Sequence, residues 1–253
     1  MTVAGTHDVV VVGSGAGGGV VAGELAQRGR DVVLLETGPH LTAADFTRWE
    51  AKANHDMWWP LRLVPLPSGE MFAFLAGRCV GGTTTINTKV ALRAHERDVA
   101  KWHGLTGLTN DRGEPFDVSD LAPFYDRVEQ VLGVRERHDW CKSVRTVEPG
   151  FRAMGVELER IERAFDFSRQ VLLAAGARQI AWSGLASTHV QGTCRMGDDP
   201  EHSVVDRDCE SHEVKRLYVG DASLIPRTLS VNPSLTIMAL ATRLADHLDG
   251  ALA

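Results

Sequence analysis

The stretch "HDVVVVGSGAGGGVVAGELAQRGRDVVLLETG", His7 to Gly38, limits the fold more than any other part of the chain. Val9 to Val12 are four consecutive β-branched residues, the pattern of a strand buried on both faces of a parallel sheet. Gly13, Gly15 and Gly18 follow in G-x-G-x-x-G spacing. Val21, Leu25 and Arg28 then recur at helical spacing, and Gly29 stands where a helix end favours glycine. Asp31 to Glu36 predicts a second strand that ends in an acid.

Each part of that unit has a physical task. Gly13 permits the tight turn, Gly15 lets backbone approach a pyrophosphate, and Gly18 lets helix and strand pack closely. The helix N-terminus, with free N–H groups and a positive dipole end, is suited to hold a diphosphate. Glu36 lies eighteen residues beyond Gly18, placed to accept hydrogen bonds from an adenosine ribose and to repel a 2′-phosphate. The motif by itself leaves NAD and FAD both open.

Bulk properties narrow the rest. At 253 residues the chain can build one sizeable core or two small ones. A net charge of −6 argues against nucleic-acid binding, which needs a basic surface. Cys79, Cys141, Cys194 and Cys209 are scattered without a C-x-x-C pair, so free thiols and a reducing compartment are expected. Val9 to Ala26 carries one charge, Glu24, but its six glycines and the absence of a preceding Lys or Arg argue against a span or signal peptide. The expectation is a soluble, cytoplasmic protein.

"GRCVGGTTTIN", Gly77 to Asn87, offers a second glycine turn, where backbone, hydroxyls and an amide can meet a phosphate or a polar ring edge; a solvated turn explains it equally well. "DVSDLAPFYDRVEQVLGV" predicts a helix capped by Ser119 or Asp120, with Leu121, Phe124, Val128 and Leu132 as its apolar stripe. In "RLYVGDASLIPRTLSVNPSLTIMALATRLADHL", Leu217 to Val219 reads as a strand ended by Gly220 and Asp221. Asn232 then reads as an N-cap, Pro233 as the first helical residue, and Ile237, Leu240, Ala241, Leu244 and Leu248 as one buried face. Trp58 and Trp59 suit either core packing or an apolar mouth.

"STHVQGTCRMG", Ser187 to Gly197, poses the chemical question, because His189 there is a base, a metal ligand or a loop residue. His189, Cys194, His202, Cys209 and His212 are close in sequence, but only Cys209 and His212 form a close pair, where structural zinc usually takes two. No metal is expected.

The four motifs together, in this order, resemble the glucose–methanol–choline family of FAD-dependent alcohol oxidoreductases, over residues 7 to 132 and 170 to 250. The resemblance implies an α/β fold, a doubly wound and largely parallel FAD-binding sheet of Rossmann type, here with a much reduced substrate domain. It implies FAD as cofactor, with Gly13, Gly15, Gly18 and Glu36 on the ADP half and Gly81, Gly82 and Asn87 near the flavin. Asp221 and Ala222 would contact the diphosphate and ribityl region, and Pro233 would start a helix aimed at the flavin. His189 falls at the family's catalytic-base position and Asn232 at its second catalytic position. The implied reaction takes an alcohol to a carbonyl, with the hydroxyl proton going to His189 and the hydride to flavin N5. Oxygen or another acceptor would reoxidise the flavin.

The implied organisation is a first FAD-binding segment over 1–134, a reduced substrate segment over 135–200 carrying the His189 loop, and a second FAD-binding segment over 201–253. Between Val134 and Arg178 the chain is shorter than members of the family, with "GVELERIERAFDFSRQVLLAAGARQI" reading as one amphipathic helix stopped by Gly176. A nucleotide-binding remnant without activity is therefore the alternative function. An NAD-dependent dehydrogenase finds no further support in the chain.

Overall fold

The computed structural model describes residues 5–47, 49–60, 62–65, 71–87, 89–135, 170–178, 186–187 and 189–253. The chain divides into two compact units, one of Met1–Val134 with Ala186–Ala253, the other of Arg135–Leu185. In the smaller unit residues 170–174 are helical, and Gly176, at φ +88°, ends that helix by donating its N–H to the Leu173 carbonyl. The rest of the helix expected there, including Leu158, Ile161 and Phe165, lies outside the described residues.

The larger unit opens with β1 (Val9–Val12), α1 (Ala16–Gln27) and β2 (Val32–Leu35). The strands pair in parallel, Val9 opposite Val32 and Val12 opposite Leu35, as the sequence pattern predicts for this α/β fold. A Cβ on Gly18 would fall 2.0 Å from the Gly13 carbonyl oxygen and 3.1 Å from Val11 Cγ1, so only glycine lets α1 lie this close to β1. β1 differs from expectation in one respect. Val11 is buried, but Val10 is 55% exposed and Val12 82%, because helices cover a single face of the strand.

The C-terminal α7 (Ser234–Ala251) forms the centre of the core. It packs on α1 and on α6 (Val118–Leu132), and all five residues of its expected face, Ile237, Leu240, Ala241, Leu244 and Leu248, are buried. Leu25 of α1 and Leu121 of α6 are fully buried against this core. The Tyr125 and Thr236 hydroxyls share a buried 2.8 Å hydrogen bond between α6 and α7. Around the rim, Arg28 and Arg127 both bond Glu24 and Asp246, which joins all three helices. α6 is capped by Asp117, two residues before Ser119 and three before Asp120. Asp117 accepts from Ser119 N–H while Asp120 accepts from Asp117 N–H, a reciprocal capping box. Tyr125 joins Leu121 and Val128 on the buried stripe, and Leu132 is exposed.

A second sheet has the order β3 (Arg62–Pro65), β4 (Met71–Phe74), β5 (Ala186–Ser187), with β4 antiparallel to β3 and parallel to β5. β5 delivers the chain to His189. Between the sheets' strands lie α2 (Glu50–Met57), α3 (Thr83–Ile86), α4 (Glu96–Val99) and α5 (Trp102–Thr106).

The strand expected at Leu217–Val219 is reduced to an isolated bridge. Tyr218 forms this bridge, antiparallel, to Glu210, with Ser211 N–H donating to Leu217 and Val219 N–H to Cys209. The turn at 211–216 brings these groups together over a short loop, which costs little closure entropy. A cleft of about 560 Å³ bordered by Val9–Val12 and Leu217–Val219 remains beside β1.

Candidate active site

One cavity of about 530 Å³ gathers most of the residues singled out from sequence: Gly13, Gly15, Gly18, Asn87, His189, Asp221, Ala222, Asn232 and Pro233 all line it. The two ends of the chain meet there through Gly17. A Cβ on Gly17 would sit 1.4 Å from the Gly220 carbonyl oxygen, so this glycine lets the first turn of α1 touch the segment carrying Asp221. Asp221 itself caps the following short 3-10 turn, Ala222–Leu224, accepting from Ser223 N–H at 2.8 Å and from its Oγ at 2.5 Å.

Both long helices that reach this cavity begin without a side-chain cap. α1 starts after Gly15 and α7 after Pro233, and neither has an acidic residue in its first turn. Two uncapped N-termini therefore direct positive dipole ends and free N–H groups at one space, which favours an anionic ligand. Gly13 and Gly15 have open space where a Cβ would be, so a ligand can approach the backbone at the turn.

Glu36, Gly81 and Gly82 do not line the cavity; Ser14 ties Glu36 to Gly81. Ser14, which is 6% exposed, donates its Oγ–H to Glu36 Oε2 at 2.6 Å and its N–H to the same oxygen at 3.0 Å. The Ser14 Oγ also accepts the Gly81 N–H at 2.9 Å, and Glu36 Oε1 accepts the Gly38 N–H at 2.7 Å. Burial pushes the Glu36 carboxyl up, and the bonds from Ser14 and Gly38 outweigh it, leaving it below the usual range. With three donors in place, Glu36 has about one of its four lone-pair positions left. The two glycine turns also touch: Gly82, at φ +54°, would carry a Cβ 3.3 Å from Gly15 Cα. Nothing in the spacing marked Ser14, whose signal is only that it is the first polar side chain inside a turn otherwise made of glycine.

His189 and Asn232 arrive from different segments and meet. Asn232 Nδ2 lies 3.2 Å from His189 Nε2, within reach of a hydrogen bond in which the amide donates and the ring nitrogen accepts. His189 is exposed and Asn232 half-buried. This corrects the capping role expected for Asn232. α7 has its N-cap at Pro233, and Asn232, one residue too early to cap it, turns its amide to the histidine. Trp58 lines the cavity, whereas Trp59 does not and lies under the Arg78 guanidinium, its ring centroid 5.7 Å from Cζ.

The other histidines and thiols have separate occupations. His202 bonds Asp199, and His212 bonds Ser203. Burial pushes the Cys209 thiol up to about 12. Among the described residues no group of three His, Cys, Asp or Glu is arranged to hold a metal ion, and no helix is long and apolar enough to cross a membrane.

A family model described as GMC oxidoreductase matches residues 109–241, and one described as an NAD(P)-binding Rossmann-like domain matches residues 11–76. The chain belongs to the GMC oxidoreductase family. Its relatives include the long-chain-alcohol oxidase FAO4B of Arabidopsis thaliana, 31% identical over 62% of this chain and 20% of that protein. Paromamine 6'-oxidase of Streptomyces fradiae is 42% identical over 38% of this chain and 18% of its own length. The chain thus spans about a fifth of the length of these relatives. In fold it is similar to pyridoxine 4-oxidase from Mesorbium loti, with a TM-score of 0.60, 14% identity, and coverage of 96% of this chain and 99% of that one. FAD is the cofactor of the GMC family. The site fits it, with open glycine backbone and the uncapped N-terminus of α1 for a diphosphate and the uncapped N-terminus of α7 on the same cavity.

Proposed function

We propose that this chain binds FAD in the cavity between α1 and α7 and oxidises an alcohol to a carbonyl compound, with His189 as base and Asn232 as its hydrogen-bonding companion. The observation that carries this reading is the 3.2 Å approach of Asn232 Nδ2 to His189 Nε2 on the wall of the cavity lined by the G-x-G-x-x-G turn. Gly13, Gly15, Gly18, Glu36 and Asp221 would hold the ADP and diphosphate end. Gly81, Gly82, Asn87, Ala222 and Pro233 would hold the flavin end.

A substrate oxygen seated between Nε2 and Nδ2 gives its proton to Nε2 and accepts a hydrogen bond from the amide. Base catalysis of this kind contributes roughly 10² to 10⁴ in rate. Asn232 stabilises the negative charge that builds on the oxygen as the proton leaves. Bound flavin supplies the hydride acceptor, a capacity that no protein side chain has. The apolar side chains of Trp58, Ile86 and Val90 line the same cavity and suit a substrate with an apolar portion. The free thiols of Cys79, Cys194 and Cys209 suit a reducing, cytoplasmic setting.

His189→Ala tests the assignment. The variant should bind FAD as the parent does, because the cofactor contacts come from other residues, and its flavin should be reduced by alcohols orders of magnitude more slowly. Higher pH should restore part of that rate by deprotonating substrate without the base. An unchanged rate of flavin bleaching would make His189 an ordinary loop residue. The exposure of His189 and of Val12 favours the second reading, a nucleotide-binding remnant whose site admits too much water to react. A purified chain that is colourless and rejects added FAD would establish that alternative.

A further inference from the structure

The segment between the Ala222–Leu224 turn and α7 has to deliver Asn232 to a histidine that belongs to another part of the chain. Its beginning is tethered: the N–H groups of Gly192, Cys194 and Met196 donate to the carbonyls of Ala222, Ser223 and Leu224. Beyond Ile225 the tethering by backbone stops. Among the described residues, the only amides of residues 226–233 with an acceptor in the protein are those of Leu229 and Ser230, and both acceptors are side chains. Leu229 N–H reaches Gln191 Oε1 at 3.4 Å, which is long for a hydrogen bond. Ser230 is held far better, its N–H 2.9 Å from Asp98 Oδ2 and its Oγ 3.0 Å from Asp98 Oδ1.

Asp98 is an unusual residue to find there. It is 7% exposed, in α4, next to the fully buried Val99, and among the described residues it forms no ion pair. Lys101 and Arg97 act on it only from beyond ion-pair distance, and a buried charge is expensive unless hydrogen bonds satisfy it; both of its oxygens are satisfied by Ser230. Ser230 stands two residues before Asn232, so anchoring it confines the Asn232 Cα to within about 7 Å of extended chain. We propose that Asp98 is a positioning residue. Its carboxylate grips the loop at Ser230 and thereby sets the direction of the Asn232 amide toward His189 Nε2. The inference rests on the functional reading above for its catalytic consequence, and on geometry alone for the placement.

The test uses the full chain carrying Asp98→Asn, Ser230→Ala, Asn232→Ala, and the double variant Asp98→Asn with Asn232→Ala. Placement is read without cofactor, from the Asn232 side-chain amide and His189 ring resonances and from hydrogen exchange at the Ser230 amide. Asp98→Asn should shift both sets of resonances and speed exchange at Ser230 by about ten-fold or more, with Ser230→Ala giving a smaller shift in the same direction should the first variant fold poorly. With FAD bound, Asp98→Asn should lower flavin reduction at saturating alcohol about ten-fold and change the half-saturating concentration less than two-fold. The double variant should be no slower than Asn232→Ala alone, because Asp98 acts through that amide. Unmoved Asn232 and His189 resonances in Asp98→Asn and Ser230→Ala would overturn the placement, and losses that multiply in the double variant would overturn its route to catalysis. A parent chain whose flavin no alcohol reduces would defeat the functional reading, and the resonances would still decide where Asp98 holds the loop.

Discussion

Replacing Ser14 with alanine isolates the link between the two glycine turns. The side chain donates to a charged oxygen of Glu36 at 2.6 Å and accepts from Gly81 N–H at 2.9 Å, while the backbone N–H that also bonds Glu36 is untouched. A hydrogen bond to a charged group contributes about 1.5 to 3 kcal/mol net and a neutral one about 0.5 to 1.5. Ser14→Ala should therefore destabilise the chain by about 2 to 4 kcal/mol, the upper end applying if no water reaches the Gly81 amide. Urea unfolding followed by circular dichroism measures this as a fall in midpoint at unchanged slope.

The same substitution should weaken FAD binding, since the turn at Gly81 and Gly82 is then free to leave Gly15. Flavin fluorescence on titration gives that affinity, and Ser14→Thr, which keeps a hydroxyl, should recover part of both losses. A Ser14→Ala chain within about 0.5 kcal/mol of the parent, the range of an ordinary surface change, would refute the idea that this hydroxyl holds the turns together.

Gly17→Ala places a methyl 1.4 Å from the Gly220 carbonyl oxygen, and separating helix and segment should cost about 1 to 3 kcal/mol or more by the same unfolding assay. Acid should destabilise the chain: Glu36 and Asp98 both titrate below their ordinary values, so the unfolded state binds more protons as pH falls through the carboxylate range. Their contribution is complete above about pH 4 to 5 and is lost as pH drops through the lowered folded values, which unfolding midpoints across pH 2 to 6 would show as a steady fall. FAD should be released when the protein is denatured, because His189, the histidine that lines the cavity, is the proposed base; colour retained by precipitated chain would show a covalent link.

The sequence made the backbone of the site legible and left its side-chain partnerships hidden. The G-x-G-x-x-G turn, the parallel pair β1 and β2, and the buried face of α7 follow from steric rules that act within a few residues, so their spacing alone reveals them. Leu217–Val219 reads as a strand because its apolar pattern suits one whatever its neighbour, and in the structure it forms only the bridge from Tyr218 to Glu210. Val9–Val12 likewise announced a strand fit for burial on both faces, but covering both takes other elements, and here one face remains open. Ser14 and Asp98 went unseen because their significance depends on Glu36 and Ser230, which lie far away in the chain.

Asn232 shows how such a misreading can be tested. An Asn-Pro pair before an apolar helix predicts a side-chain cap, and losing such a cap costs about 0.5 to 2 kcal/mol. In the structure the amide caps nothing and faces His189 Nε2, so Asn232→Ala should leave stability within about 0.5 kcal/mol of the parent. Its flavin reduction should nevertheless fall, because the substrate oxygen loses the donor that meets its developing charge. Stability from urea unfolding and rate from anaerobic flavin bleaching separate the two roles in one variant. A loss of about 1 kcal/mol or more with an unaltered rate would restore Asn232 to the cap and remove it from the chemistry.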